Sequence, residues 1–387
     1  MHMKRIINSS LTVLFLTLAI GLYAQQPAQT REYIYVGTFD ERGSEGIYVF
    51  EFDRISSRLM LVQTISGKKG PSFLAIHPGR RNLYSVNREG MQESDKNGSV
   101  SSFRIDQANG RLTLINEQSS AGAGPCHISI DPKGRFAYVS NYSGGNLALL
   151  PIEGKDGRLE AAKTVIQHSG SSVNPRRQGE PHMHSAIPSK KGRHVFASDL
   201  GTDKIAVYAV TAEGGLVEVV SSSASANPGS GPRHFAIHPK GAMAFSAEEL
   251  SSTVSSYRLD PGTGALRPVN RFSTLPPNYT GNNSVADIHV SPDGRFVYIS
   301  NRGHNSLACF SINPRTAELY HQGHFDTRGE TPRNFLIDPK GEYVLVANQA
   351  TDSIVLFKRN KENGSLAYSG VQAHVPAPVC VITLSLK

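Results

Sequence analysis

The chain has 387 residues, 39% hydrophobic and 19% charged, with 36 glycines and no tryptophan. That is enough apolar chain for a large buried core, which excludes an intrinsically disordered protein. A balance of 40 basic against 32 acidic residues gives a net charge of +8, but no run of five basic residues occurs, so no nucleic-acid footprint is present.

The first segment reads as a leader. Lys4 and Arg5 form a charged start, Leu11 to Leu22 an apolar stretch, and Leu22-Tyr23-Ala24 a small-residue cleavage site. The apolar part is too short to span a bilayer comfortably. Residues 1–24 are therefore expected to be a cleaved signal peptide, giving an exported protein, periplasmic or secreted, with no membrane attachment afterwards. Residues 31–387 are expected to form a single domain.

Glu32 to Gly37 is the first strand of that domain, and a repeated phrase begins after it. Its clearest copy is Gly124-Pro125-Cys126-His127, then Asp131-Pro132-Lys133-Gly134, then Phe136 to Asn141. Further copies start at Gly70-Pro71, Glu180-Pro181, Gly231-Pro232, Ser284-Val285, Thr331-Pro332 and Ala377-Pro378. Aligning them sets Phe73, His127, His184, His234, Asp287, Asn334 and Cys380 level. A second marker, a leucine after a polar turn, also occurs once per copy: Leu59, Leu112, Leu159, Leu216, Leu266, Leu319 and Leu366. Within a copy, alternating and β-branched runs separated by Gly-containing turns predict four short antiparallel strands. Units of about fifty residues built this way are propeller blades. The expected fold is therefore all-β, a seven-bladed β-propeller of a type other than the Trp-Asp repeat. Val379 to Leu386 supplies a lone inner strand, so the two chain ends should complete one blade and close the ring.

Topology then says which residues meet. Starts of inner strands and ends of second strands fall on one face, over the central channel. Arg233, His234 and Glu249 share that face with His182, His184 and Arg333, with the strand end Asn141, and with Asn301 and Arg302. Arginines suit an anion, and a His or Glu beside them can activate water. His182-Met183-His184 lacks a third ligand at a recognised spacing, so no metal is expected. Cys126, Cys309 and Cys380 are too far apart for a disulfide framework.

Several of these segments resemble the seven-bladed propeller lactonase family, which includes bacterial 6-phosphogluconolactonases and fungal carboxymuconate lactonising enzymes. The resemblance rests on Val139-Ser140-Asn141-Tyr142-Ser143-Gly144-Gly145, Pro181-His182-Met183-His184-Ser185, Asp199-Leu200-Gly201-Thr202-Asp203, Gly229-Ser230-Gly231-Pro232-Arg233-His234 and Ser300-Asn301-Arg302-Gly303-His304. It implies a carboxylic-ester hydrolase that opens a sugar-acid lactone, most like 6-phosphogluconolactone, without a cofactor. By motif the catalytic set falls on His184, Arg233, Glu249 and Arg333, with either His184 or Glu249 as the base. His182, His234, Asn141, Asn301 and Arg302 are the expected substrate contacts. The partner is a small anionic lactone, not nucleic acid, and the chain is expected to be a monomer. The alternatives are a carboxymuconate-type isomerase and a non-catalytic exported propeller binding a glycan or protein. Where the family commonly has Asn-Glu-Leu this chain reads Glu248-Glu249-Leu250, which brings a second carboxylate toward the site.

Overall fold

The computed structural model describes residues 31–90 and 95–386. The proposed leader, residues 1–24, lies outside them. Seven antiparallel sheets follow one another, each with its inner strand at the axis: Pro71–Ile76 in blade 1, Pro125–Ile130 in blade 2, Met183–Pro188 in blade 3, Pro232–Ile237 in blade 4, Ser284–Val290 in blade 5 and Pro332–Ile337 in blade 6. Blade 7 takes its inner strand from Pro378–Leu386 and its next three from Arg31–Thr38, Gly46–Asp53 and Arg58–Ser66. Arg31 pairs with Leu386 and Gly37 with Cys380, so the two ends of the chain zip together as expected. Each inner strand packs beside the next, and the last packs beside the first.

The repeated phrase has a local cause. In Asp131-Pro132-Lys133-Gly134 the Asp131 carboxylate accepts the Phe136 N–H at 3.2 Å, and Gly134 takes a φ of 73° that a Cβ would strain. The turn drives the chain straight into the second strand, Phe136–Asn141, every residue of which is buried. Second strands are covered on both faces because the sheets stack against one another. One apolar cluster fills each gap between neighbouring blades, such as Tyr84, Val86, Ile128 and Val139 between blades 1 and 2. Second-strand tyrosines also bridge the gaps by hydrogen bonds, Tyr35 to Gly110 O at 2.9 Å, Tyr84 to Gly157 O at 3.0 Å and Tyr298 to Gly364 O at 2.7 Å. The core is thus distributed around the ring, and the axis is left for polar side chains. Among the described residues no helix is long and apolar enough to cross a membrane.

Candidate active site

A bulge in each inner strand delivers a side chain to the axis. In blade 2 Pro125 pairs with Asn141 and His127 with Ser140, which leaves Cys126 between them without a partner residue. The same break leaves out Ser72 in blade 1, His184 in blade 3, Arg233 in blade 4 and Arg333 in blade 6. Proline stands first in four of these five breaks, and having no N–H to donate it lets the ladder yield there. All five released side chains line one cavity of about 410 Å³.

This register corrects one alignment. Matching histidine to histidine sets His184 level with His127 and His234, whereas Ser185 takes that place opposite Ser198. His184 occupies the bulged position of Arg233 and Arg333. Two extra residues hide the shift, since the bulged side chain follows Pro181 by three positions but Pro232 by one, and a single step of register moves a side chain to the other face.

Glu249 anchors the positive side of the cavity. It is 5% exposed, and its Oε1 accepts a 2.7 Å hydrogen bond from Arg177. Its Oε2 lies 2.9 Å from Arg302 Nη2 and 3.0 Å from Arg233 Nε. Burial opposes the charge, but Arg302, Arg233 and Arg177 together hold its carboxyl down to about 2. A carboxylate so stabilised is a weak proton acceptor at neutral pH.

Arg233 is fixed from behind. Its Nη1 donates to Ala286 O at 2.5 Å and to His234 Nε2 at 3.1 Å, while His234 Nδ1 donates to Asp287 at 2.6 Å. A guanidinium can only donate, so His234 accepts on Nε2 and carries its proton on Nδ1. Burial, aided by Arg233, lowers His234 to about 4 and keeps it neutral. Although His234 lines the cavity, both of its nitrogens are committed, so it positions Arg233. Burial and Arg302 bring Arg233 to about 10, still charged at neutral pH, and its Nη2 has no partner among the described residues.

His184 differs from His234 in having a nitrogen to spare. It is 4% exposed, its ring touches Tyr142 and His234, and Cys126 Sγ lies 3.7 Å from Nδ1. Its Nε2 has no hydrogen-bond partner among the described residues. Burial first, then Arg233, lowers its pKa well below the usual histidine value, so it is neutral at pH 7 with Nε2 unengaged. Burial pushes the Cys126 thiol up to about 12 against the pull of nearby arginines, which leaves it without the thiolate a nucleophile needs.

The remaining expectations divide. Arg302 and Arg333 line the cavity. His182 stands behind its wall, stacked on Tyr142 at 4.3 Å with Nδ1 3.0 Å from Tyr142 O. Asn141 and Asn301 stand at equivalent places near the ends of second strands and turn away from the cavity. Asn141 Nδ2 donates to Ser120 O and Asn146 Oδ1, and Asn301 Nδ2 donates to Thr274 O. These two asparagines brace the connections between blades and do not face a ligand. Glu248, at the same strand end, is turned away too, its carboxylate taken up by Thr253, Ser255 and Arg271.

Sequence reasoning missed Arg177, Tyr142, Arg88 and Phe39, all of which line the cavity. Three of them obey a rule the repeat already contained. The residue closing the second strand or just past it is Phe39, Arg88, Tyr142, Glu249 or Arg302, depending on the blade. Arg177 obeys no repeat. It sits in the connection 168–182, held in place by buried Gln178 donating to Leu200 O and by Ser172 donating to Asp203. Five arginines thus meet one glutamate in the cavity. Among the described residues no group of three or more His, Cys, Asp or Glu side chains has a metal-holding arrangement.

Comparison with known proteins agrees with this architecture. Residues 33–383 match the family described as "Lactonase, 7-bladed beta-propeller". A 6-phosphogluconolactonase of Bacillus subtilis is 37% identical over 347 residues, 90% of this chain and 97% of its own length. One from Formosa agariphila is 38% identical over 311 residues, 79% of this chain and 86% of its own. The structure of a periplasmic gluconolactonase from Pseudomonas aeruginosa superimposes with a TM-score of 0.85 at 32% identity, covering 92% of this chain and 100% of that one.

Proposed function

The chain belongs to the seven-bladed β-propeller lactonase family and is a lactone hydrolase, and from this premise we propose that it opens a negatively charged sugar-acid lactone of the 6-phosphogluconolactone kind. The observation that carries the residue assignment is that a neutral His184 with a free Nε2 and an Arg233 with a free Nη2 share one cavity.

In the proposed reaction His184 Nε2 takes a proton from water as the water oxygen bonds to the ring carbonyl carbon. The carbonyl oxygen becomes an oxyanion facing Arg233 Nη2 and the Arg302 guanidinium, which are already in place and charged. Collapse breaks the bond between that carbon and the ring oxygen, and His184 returns its proton to the departing oxygen. One water is consumed, and the products are a hydroxyl and a carboxylic acid that ionises in solvent. Glu249 keeps three mutually repelling guanidiniums together, and His234 with Asp287 aims Arg233. The scheme uses side chains only. Residues 1–24 are taken as an export leader that places this reaction in the periplasm, a reading supported by the periplasmic gluconolactonase relative. The protein is taken to act as a monomer.

The test is a panel of lactones, phosphorylated and not, assayed above spontaneous hydrolysis. His184→Ala should lower kcat by about 10²–10⁴-fold while keeping the fold. Full turnover in that variant rules out His184 as the base, and a parent protein that opens no lactone overturns the whole proposal.

A further inference from the structure

The cavity has two unlike sides. Toward blades 3, 4 and 5 the guanidiniums of Arg177, Arg233 and Arg302 are compensated by Glu249. Toward blades 6, 7 and 1 stand Arg333 and Arg88, each 4.8 Å from the centroid of the Phe39 ring, with no carboxylate partner among the described residues. Ser72 lines the same cavity, is 6% exposed, and its hydroxyl is buried without a hydrogen-bond partner.

We infer that Arg88, Arg333 and Ser72 form a subsite for a permanent oxyanion remote from the lactone ring, and that Arg88 sets selectivity for charged over uncharged substrates. The inference rests on the lactonase reading. A buried hydroxyl with no partner is costly unless a ligand satisfies it. Uncompensated guanidiniums ask for a permanent anion, whereas an oxyanion that exists only during reaction is served by the side already balanced by Glu249. The converse arrangement fails on charge, because a dianion docked at Arg233 and Arg302 would face the Glu249 carboxylate. Both guanidiniums lie over the Phe39 ring, a cation–π contact that uses none of their N–H donors. The chemistry recognised is an oxyanion at the far end of a hexonic acid chain, either a phosphate monoester or a carboxylate.

The readout is the ratio of kcat/KM for 6-phosphogluconolactone to that for gluconolactone, with glucarolactone separating carboxylate from phosphate. Arg88→Ala should cut that ratio about 10–100-fold, the loss of one or two charge-assisted hydrogen bonds, and Arg88→Lys should restore part of it. Ser72→Ala should shift it in the same direction. Calorimetry with 6-phosphogluconate, glucarate and gluconate reads the subsite without turnover. The intact protein should bind 6-phosphogluconate or glucarate at least about tenfold tighter than gluconate, and Arg88→Ala should erase the difference. Equal affinities for all three acids, or an unchanged ratio in Arg88→Ala, overturn the subsite. If no lactone is opened but charged acids still bind through Arg88, the lactonase reading falls and the subsite stands.

Discussion

Replacing Glu249 by Gln removes the one negative charge from the cavity while keeping its shape. Arg177 is 41% exposed at its side chain, so solvent screens its share of the loss. Arg233 and Arg302 are 3% and 12% exposed, and their repulsion then goes uncompensated. The folded carboxyl ionises at about 2 against 4.5 for the free group, a difference equivalent to about 3 kcal/mol. That agrees with the roughly 3–5 kcal/mol usual when one partner of a buried ion pair is removed. Because the folded value is depressed, the stabilisation is fully present above pH 4.5 and lost as pH falls through about 2. Urea unfolding of parent and Glu249→Gln should therefore differ by about 3 kcal/mol at pH 7, and the gap should narrow steadily below pH 4.5. Added phosphate should recover more stability in the variant than in the parent, since an external anion can take the place of the lost one. A gap below about 1 kcal/mol at pH 7 would falsify the view that Glu249 is the counter-ion of the cluster.

Other consequences follow from the same contacts. The acid limb of the parent's kcat/KM profile should lie below pH 6.5, because His184 stays neutral to lower pH than a free imidazole; a limb at or above 6.5 removes it as the base. Asp287→Asn lets His234 adopt the other tautomer and release Arg233, so kcat should fall about 10–100-fold with little change in fold by circular dichroism. Normal turnover in Asp287→Asn would show that Arg233 needs no such support. Glu248→Gln should cost about 1–3 kcal/mol of stability through Thr253, Ser255 and Arg271, yet leave the preference among lactones unchanged. A shifted preference would put Glu248 in contact with substrate after all.

The ring was legible in the sequence because each blade repeats the same two obligations. A turn needs glycine at positive φ, as at Gly134, and the outer strand needs a leucine to cover the gap, as at Leu112 and Leu266. Residues 32–37 lacked a first partner and residues 379–386 a second, which disclosed the closure. The site was legible only where a residue broke the repeat, as Arg233 and Glu249 do. Asn141 and Asn301 misled for the opposite reason. A polar residue that recurs blade after blade is more often answering the backbone than a ligand, and both are spent on carbonyls between blades. Arg177 left no periodic trace, because its connection, 168–182, is fixed by Gln178 and Asp203 and not by strand pairing.

Two positions per blade, the bulged residue of the inner strand and the one at or just past the second-strand end, furnish nearly all of the cavity's chemistry. Around the ring the first position reads Ser72, Cys126, His184, Arg233, Ala286, Arg333 and Val379, and the second reads Arg88, Tyr142, Leu200, Glu249, Arg302, Gln349 and Phe39. Neither position contributes to the seven apolar clusters between blades, while Phe39 and Val379 pack with Ala377 in a small cluster of their own. Substitution at these positions therefore changes the charge and shape of the cavity at little expense to the core, whereas a change at Phe136 or Tyr138 would open the gap between blades 2 and 3. Ala286 shows the two demands meeting. Its small side chain is absent from the cavity lining, while its carbonyl accepts the 2.5 Å hydrogen bond that holds Arg233. A larger residue at 286 would push on Arg233 and so act on catalysis through geometry alone. The proposed selectivity thus follows from which blade carries which group: a neutral histidine on blade 3, an arginine cluster balanced by Glu249 on blades 4 and 5, and arginines without a carboxylate partner among the described residues on blades 6 and 1.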